Sequence, residues 1–328
     1  MKTIFAIALS LVLAVSASAT ELRISQQFGL SYLPMIVAKE QKLIERFATE
    51  NGVKDLKIEW RVVSGGSFTN EALLSGTIDL VSAGVPPFIT IWAKTRNSID
   101  VRALAALGSV PNELNTNNPN VRTLKDFSDK DRIALPAPKV GFQAIVLQMA
   151  AEQAFGPGQF AKLDTLTVGL THPDATAALL SGGAGVSAHF TSPPFQSLQQ
   201  KDPRVHRVLS SYDVLGGPHT FNVLYGTKKW HDANPQVARA VVQALDEANR
   251  FIQSQPRQAA ALYIAAEKSP QSIDEVEALI RDPRIHYTTA PENVLKFAAF
   301  QARTGQIPVA PSQWEELFFP ELHEKAGS

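Results

Sequence analysis

Between residues 22 and 27 the chain reads LRISQQ, apolar and polar by turns, which is the period of a half-buried strand. From Phe28 the period lengthens. Met35, Val37, Leu43, Ile44 and Phe47 form the stripe of a helix, with Pro34 near its start and Asn51-Gly52 at its end. LKIEWRVV at 56–63 returns to period two, with Leu56, Ile58, Trp60 and Val62 on one face and Lys57, Glu59 and Arg61 on the other. A short helix through Leu73 and Leu74 follows, then a strand ending in Val81-Ser82-Ala83. Pro86-Pro87 opens another helix, and VRALAAL at 101–107 is an almost wholly apolar strand. Strands alternating with helices predict an α/β domain with a mainly parallel sheet.

VPNELNTNNPN at 110–120 is polar and rich in Asn and Pro, and reads as a loop or domain edge. The alternation then restarts. RIALPAPKVG is a strand and turn, and FQAIVLQMAAEQAF a helix stopped by Gly156-Pro157-Gly158. DTLTVGL is a strand, HPDATAALLSG a helix, GVSAHF a strand, PPFQSLQQ a helix and VHRVLSS a strand. Each half thus contains one copy of Ala-Leu-Leu-Ser-Gly, a short β-like run and Pro-Pro-Phe: EALLSGTIDLVSAGVPPF at 71–88 and TAALLSGGAGVSAHFTSPPF at 176–195. Two copies this far apart indicate equivalent elements of two similar lobes rather than a short solenoid repeat. After residue 215 a strand-like HTFNVLYGTKKW leads into helices. Asn234-Pro235 starts a long one, and Ser272 with Glu275 forms a capping box for another.

The chain has 328 residues, 45% hydrophobic and 19% charged, with no net charge. That length suits two domains, and the composition is globular. Without a basic field, nucleic acid and anionic membranes are set aside as partners. Lys2, the apolar run from Ile4 to Val15 and Ala17-Ser18-Ala19 have the layout of a secretory signal peptide over 1–19, cut after Ala19. That apolar run is too short to span a bilayer. Cysteine is absent, so the chain has no disulfide, thiolate metal site or lipidated cysteine. An exported protein of this kind fits a bacterial periplasm.

ISQQFGLSYLPMIVAKEQKLIE, VVSGGSFTNEALLSGTIDLVSAGVPPF and the second-half echo resemble the nitrate/sulfonate/taurine branch of periplasmic substrate-binding proteins of ABC importers. The resemblance covers nearly the whole mature chain. It implies two α/β lobes of the type II binding-protein architecture, each a mainly parallel sheet flanked by helices, joined by two crossing connections. Lobe 1 would comprise 20–109 and 215–328, and lobe 2 would comprise 110–214. The expected activity is capture of a small ligand by hinge closure, with no cofactor and no catalysis. The expected partners are an inner-membrane permease and its ATPase. One permease face meeting one closed pair of lobes implies a monomer. The same body could instead present its ligand to a membrane sensor. A periplasmic enzyme is the third reading.

In α/β sheets, ligands sit beyond the carboxyl ends of strands, against helix N-termini. That rule nominates Phe28, Gly29, Leu30, Ser64, Gly65, Gly66, Ser67, Ala83, Gly84 and Val85 from the first lobe. From the second it nominates Lys139, Val140, Gly141, Phe142, His172, Thr191 and Ser192, with His219 or Thr220 near the hinge. Ser64-Gly65-Gly66-Ser67 stands out, because two glycines let backbone N–H groups approach an anion and the hydroxyls add donors. These loops carry Lys139 and several histidines but almost no acid, which favours a neutral or anionic ligand. The family pattern places an acid in the second copy where Asp79 stands in the first. Here that register reads Gly185-Val186-Ser187-Ala188-His189, and His189 is either a ligand contact or a structural residue. The enzymes of related fold that make a pyrimidine precursor use a Cys-rich motif, which this chain lacks. No metalloprotease, hydrolase-elbow or P-loop motif is present.

Overall fold

A computed structural model describes residues 20–63, 66–182 and 185–328. Among the described residues, ten strands are set in two separate sheets. β1 (Glu21–Gln26), β2 (Lys57–Val62), β3 (Leu80–Gly84) and β4 (Val101–Ala106) come from the first half of the chain. β5 (Glu113–Thr116), β6 (Ile133–Leu135), β7 (Thr167–Gly169), β8 (Ala188–Thr191) and β9 (His206–Ser210) follow, and β10 (Asn222–Thr227) returns. The first sheet has the order β2-β1-β3-β10-β4 and the second β7-β6-β8-β5-β9.

The two orders are the same design used twice. In the first sheet β1 runs parallel to β2 and β3, and β10 is the antiparallel strand between β3 and β4. In the second sheet β6 runs parallel to β7 and β8, and β5 is the antiparallel strand between β8 and β9. Each antiparallel strand arrives from the other half, so the chain crosses twice. The crossings are hydrogen-bonded to each other. The Phe221 N–H donates to Gly108 O at 3.1 Å, and Ser211 N–H to Asn112 O at 2.8 Å. Ser109 also exchanges two backbone bonds with His286, each 2.9 Å.

Strand burial follows the pleat. In β1, Glu21 is exposed while Leu22 and Ile24 are buried. β2 is an edge strand whose charged residues, Lys57, Glu59 and Arg61, keep it from pairing further. The long Pro235–Ser254 helix buries Val237, Val241, Leu245 and Ala248 along one face, as its spacing predicts. The Ser272 capping box forms at the start of the Ile273–Ile280 helix, where each partner binds the other's backbone.

Two sequence expectations give way. The helix predicted from Pro34 to Asn51 is two helices, Leu33–Glu40 and Leu43–Glu50, with Lys42 between them in the left-handed region at φ 51°. The segment 110–120, read as a loop, contains β5, buried along its whole length. Its polar side chains are satisfied by neighbours. Asn115 donates to Gln199 Oε1 at 3.0 Å, and Glu113 accepts from Gln200 at 2.7 Å and pairs with Arg207 at 3.2 Å. This buried strand therefore carries little hydrophobic signal.

Candidate functional site

The repeated stretches occupy equivalent places in the two sheets. Register aligns β1 with β6 and β3 with β8: Ile24 pairs with Leu80, and Ile133 with Ala188. Asp79, one residue before β3, then corresponds to Ser187, one residue before β8. Both tie neighbouring strands together. Arg23 N–H donates to Asp79 at 2.8 Å, and Arg132 N–H donates to Ser187 Oγ at 3.2 Å. The acid missing from the second copy is thus a strand clamp, and Ser187 does the same work with help from Asp131, which accepts its hydroxyl at 2.8 Å.

At the far ends of these strands the halves touch reciprocally. Gly84, closing β3, lies against Phe142 at the start of the Phe142–Phe155 helix; a Cβ on Gly84 would be 2.6 Å from the Cβ of Phe142. Ser192 and Pro193, just past β8, lie against Gly29 and Leu30. Leu30 N–H donates to Pro193 O at 3.0 Å. On the other side of Gly29 sits Glu267, whose carboxylate accepts from the Gly29 N–H; burial pushes this acid up to about 7.

The cleft between these contacts is lined from the first half by Gln27, Phe28, Tyr32, Ala83, Gly84 and Pro87. The second half adds Pro136, Ala137, Gly141, Phe142, Gln143, Thr171 and His172, and the returning segment adds Phe221 and Asn222. The void measures about 50 Å³, room for a few water molecules. No lining residue is charged. The Phe142–Phe155 helix begins at the cleft, and its first internal bond is Ile145 N–H to Gly141 O. The N–H groups of Phe142, Gln143 and Ala144 therefore have no carbonyl within the helix and lie at its positive end. The His172–Ser181 helix also starts there, capped by Thr171, which accepts from Asp174 N–H. The start of the Val85–Thr95 helix offers no such donors. Pro86 and Pro87 have no N–H, and Val85 N–H is taken by Phe221 O.

Behind His172 is a buried polar chain. His172 Nδ1 is 3.0 Å from His189 Nε2, and Gln199 Nε2 is 2.6 Å from His189 Nδ1. Burial pushes His172 down to about 3 and His189 well below its usual range, so both rings are neutral at pH 7.

Of the residues nominated from sequence, Phe28, Ala83, Gly84, Gly141, Phe142 and His172 line the cleft. Gly29, Leu30, Thr191 and Ser192 form its closed edge, all buried. Val85 is buried and engaged with Phe221. Val140 and Lys139 are exposed and outside the lining: the chain passes Lys139 in the left-handed region (φ 67°) before turning inward at Gly141. His219 is a packing residue at the crossing, bonded to Ser211 Oγ at 2.9 Å and edged against Tyr212 and Phe297. Thr220 is buried and donates its hydroxyl to no ligand-facing group; its Oγ1 accepts from Glu292 N–H at 2.8 Å. His189 is one residue removed from the cleft. Ser64 and Gly65 lie outside the described residues, as does the segment 1–19. Gly66 and Ser67 open the Gly66–Leu74 helix.

Gln27, Tyr32, Gln143, Phe221 and Asn222 were not foreseen. Gln143 and Tyr32 sit within one turn of nominated residues. Asn222 enters on the returning strand, from a part of the sequence with no motif.

The sequence model of the NMT1-like family matches residues 16–266. No curated protein matches the chain. Among solved structures, the periplasmic aliphatic sulphonate binding protein SsuA from Escherichia coli superposes with a TM-score of 0.65 at 22% identity, over 92% of this chain and 98% of that one. The alkanesulfonate-binding protein SsuA from Xanthomonas axonopodis pv. citri, bound to MOPS, gives 0.68 at 19%, over 90% and 96%. The periplasmic nitrate-binding protein NrtA from Synechocystis PCC 6803 gives 0.68 at 16%, over 89% and 83%. These likenesses establish the fold: the two-lobed α/β architecture of type II periplasmic binding proteins.

Proposed function

Because the chain belongs to the NMT1-like family, we propose that it is the solute-binding component of an ABC-type importer, working in the periplasm after removal of residues 1–19. It captures a small neutral or anionic molecule between lobe 1 (20–109 and 215–328) and lobe 2 (110–214). The observation that carries this reading is the composition of the cleft: both halves line it, with N–H and side-chain donors and without a charged side chain. A sulfonate, a nitrate or an aromatic acid suits such a site. Its oxygens meet the unpaired N–H groups at the start of the Phe142–Phe155 helix, and its apolar part meets Phe28, Phe142 and Phe221.

Binding works by closure. Ser192, Pro193 and Phe142 meet Gly29, Leu30 and Gly84 only when the lobes are together, and a ligand touching both lobes favours that state by its differential affinity. A shift from mostly open to mostly closed asks for about 5 kcal/mol of such preference. His172 and His189 are neutral and face each other without an acid to orient them, an arrangement for binding rather than proton transfer. The closed pair of lobes then offers one face to a permease, as a monomer.

The test is a thermal-shift screen of alkanesulfonates, taurine, nitrate, aromatic acids and pyrimidine precursors, followed by calorimetry and small-angle scattering. A compound that raises Tm, binds one per chain and contracts the protein supports the reading. Chemical conversion of a bound compound, or binding without contraction, overturns it.

A further inference from the structure

The hydrogen bonds behind His172 have a direction, and it can be read from one end. Glu113 is a carboxylate paired with Arg207, so it only accepts. Gln200 Nε2, 2.7 Å away, must donate to it. That amide nitrogen also donates to Asn115 Oδ1 at 3.1 Å, which leaves Asn115 Nδ2 to donate to Gln199 Oε1 at 3.0 Å. Gln199 is then fixed with its nitrogen toward Thr176 Oγ1, at 2.9 Å, and His189 Nδ1, at 2.6 Å. His189 Nδ1 accepts, so its one proton is on Nε2. That proton goes to His172 Nδ1 at 3.0 Å, and His172 in turn carries its proton on Nε2, at the cleft. Asn115, Gln199, His189 and Thr191 are wholly buried, so the sequence is closed to bulk solvent. Thr191 Oγ1, 3.3 Å from His172 Nδ1, is placed to donate to the same acceptor.

A second chain arrives with the same sense. Asn112 Nδ2 donates to Val110 O, so Asn112 Oδ1 accepts from Gln143 Nε2 at 2.9 Å. The other proton of that amide points at His172 Nε2, 3.5 Å away. Two protonated nitrogens thus face one another at the cleft wall with no acceptor between them.

We propose that Gln199 and His189 are positioning residues that hold His172 as an Nε2–H donor, and that His172 and Gln143 together bind one accepting oxygen of the ligand. The inference rests on the cleft being the ligand site and adds which atoms recognise the ligand: an oxyanion or carbonyl oxygen is taken at this point, and an ammonium or other donor is refused. Burial, which pushes His172 down to about 3, keeps the ring neutral and the relay intact at physiological pH.

The test reverses the relay. In Gln199→Glu, a carboxylate of nearly the same shape accepts from His189 Nδ1–H, and each imidazole proton must move to the other nitrogen. Long-range 1H–15N spectra of the labelled full chain at pH 7, assigned with His172→Gln, read both tautomers without any ligand. We expect Nε2–H on both rings in the native protein and Nδ1–H on both in Gln199→Glu. Calorimetry with ethanesulfonate, nitrate and benzoate should show at least a tenfold loss of affinity in that variant for whichever of them binds the native protein. An Nδ1–H tautomer at His172 in the native protein overturns the relay, and so does an unchanged tautomer in folded Gln199→Glu. Full affinity with reversed tautomers overturns the assignment of the oxygen. If none of the three probes binds, the solute-binding reading loses its support, while the native tautomers still decide the relay. They decide it equally if Gln199→Glu does not fold.

Discussion

Gly84 has φ −59°, a conformation open to any residue, so its backbone does not require glycine. The approach of Phe142 does: an added Cβ would stand 2.6 Å from the Phe142 Cβ, and neither atom can swing aside. Gly84→Ala should therefore leave each half intact and hold the lobes apart. We expect a loss of ligand affinity of tenfold or more, about 1.4 kcal/mol, with Tm of the unliganded protein within a few degrees of native. Calorimetry and thermal unfolding check this, and native affinity in the variant would refute the contact. At this scale the sequence was informative wherever a residue stands at a strand end that leads into a helix. Gly84, Gly141, Phe142 and His172, all nominated from the sequence, line the cleft, while Val140 and His219 stand outside its lining, because adjacency in sequence does not give direction. One residue separates exposed Val140 from lining Gly141.

Among the elements, β5 shows what periodicity cannot detect. Glu113, Asn115 and Thr116 are polar and buried, held by partners from the Phe195–Gln199 helix, β9 and the segment before β8. Hydrophobic alternation signals a strand that packs against a core. β5 packs its polar side chains against hydrogen-bonding groups instead. The strands β1, β3, β4, β6 and β8, by contrast, were legible, β1 from its alternation and β4 from its almost wholly apolar run. The break at Lys42 carries no Gly or Pro and was invisible for that reason. The crossing also imposes a glycine. Gly108 has φ 98°, and a Cβ there would meet His286 O at 2.3 Å, a backbone atom. Gly108→Ala should lower unfolding stability by about 2 kcal/mol or more, read as a reduced urea midpoint with unchanged slope. A midpoint equal to native would show that the paired crossings tolerate displacement.

For the molecule as a whole, the buried histidines set its response to acid. His172 is held near 3, His219 near 4 and His189 well below the usual range, all by burial. Below pH about 6.5 the unfolded chain binds protons that the folded one refuses. Stability is therefore full above that pH and falls as pH drops toward 4, by at most about 1.4 kcal/mol per unit for each ring. Glu267 acts in the opposite direction. Raised to about 7, it favours the folded state when protonated, and that contribution is lost as pH rises from about 4.5 to 7. Urea unfolding at pH 7 and pH 5 should show a less stable protein at pH 5, and Glu267→Gln should widen the gap. A variant with a narrower gap would mean that Glu267 is not the counterweight.

The place of β10 has a consequence for how the chain is made. It fills the middle of the first sheet, between β3 and β4, yet it is synthesised only after all of β5 to β9. As the polypeptide emerges, β3 and β4 wait with open edges while every strand of the second sheet becomes available. The later half can close first. Until Asn222–Thr227 arrives the earlier half is an unfinished sheet, so the segment that brings Asn222 to the cleft also determines when the nascent protein is safe from pairing with its neighbours.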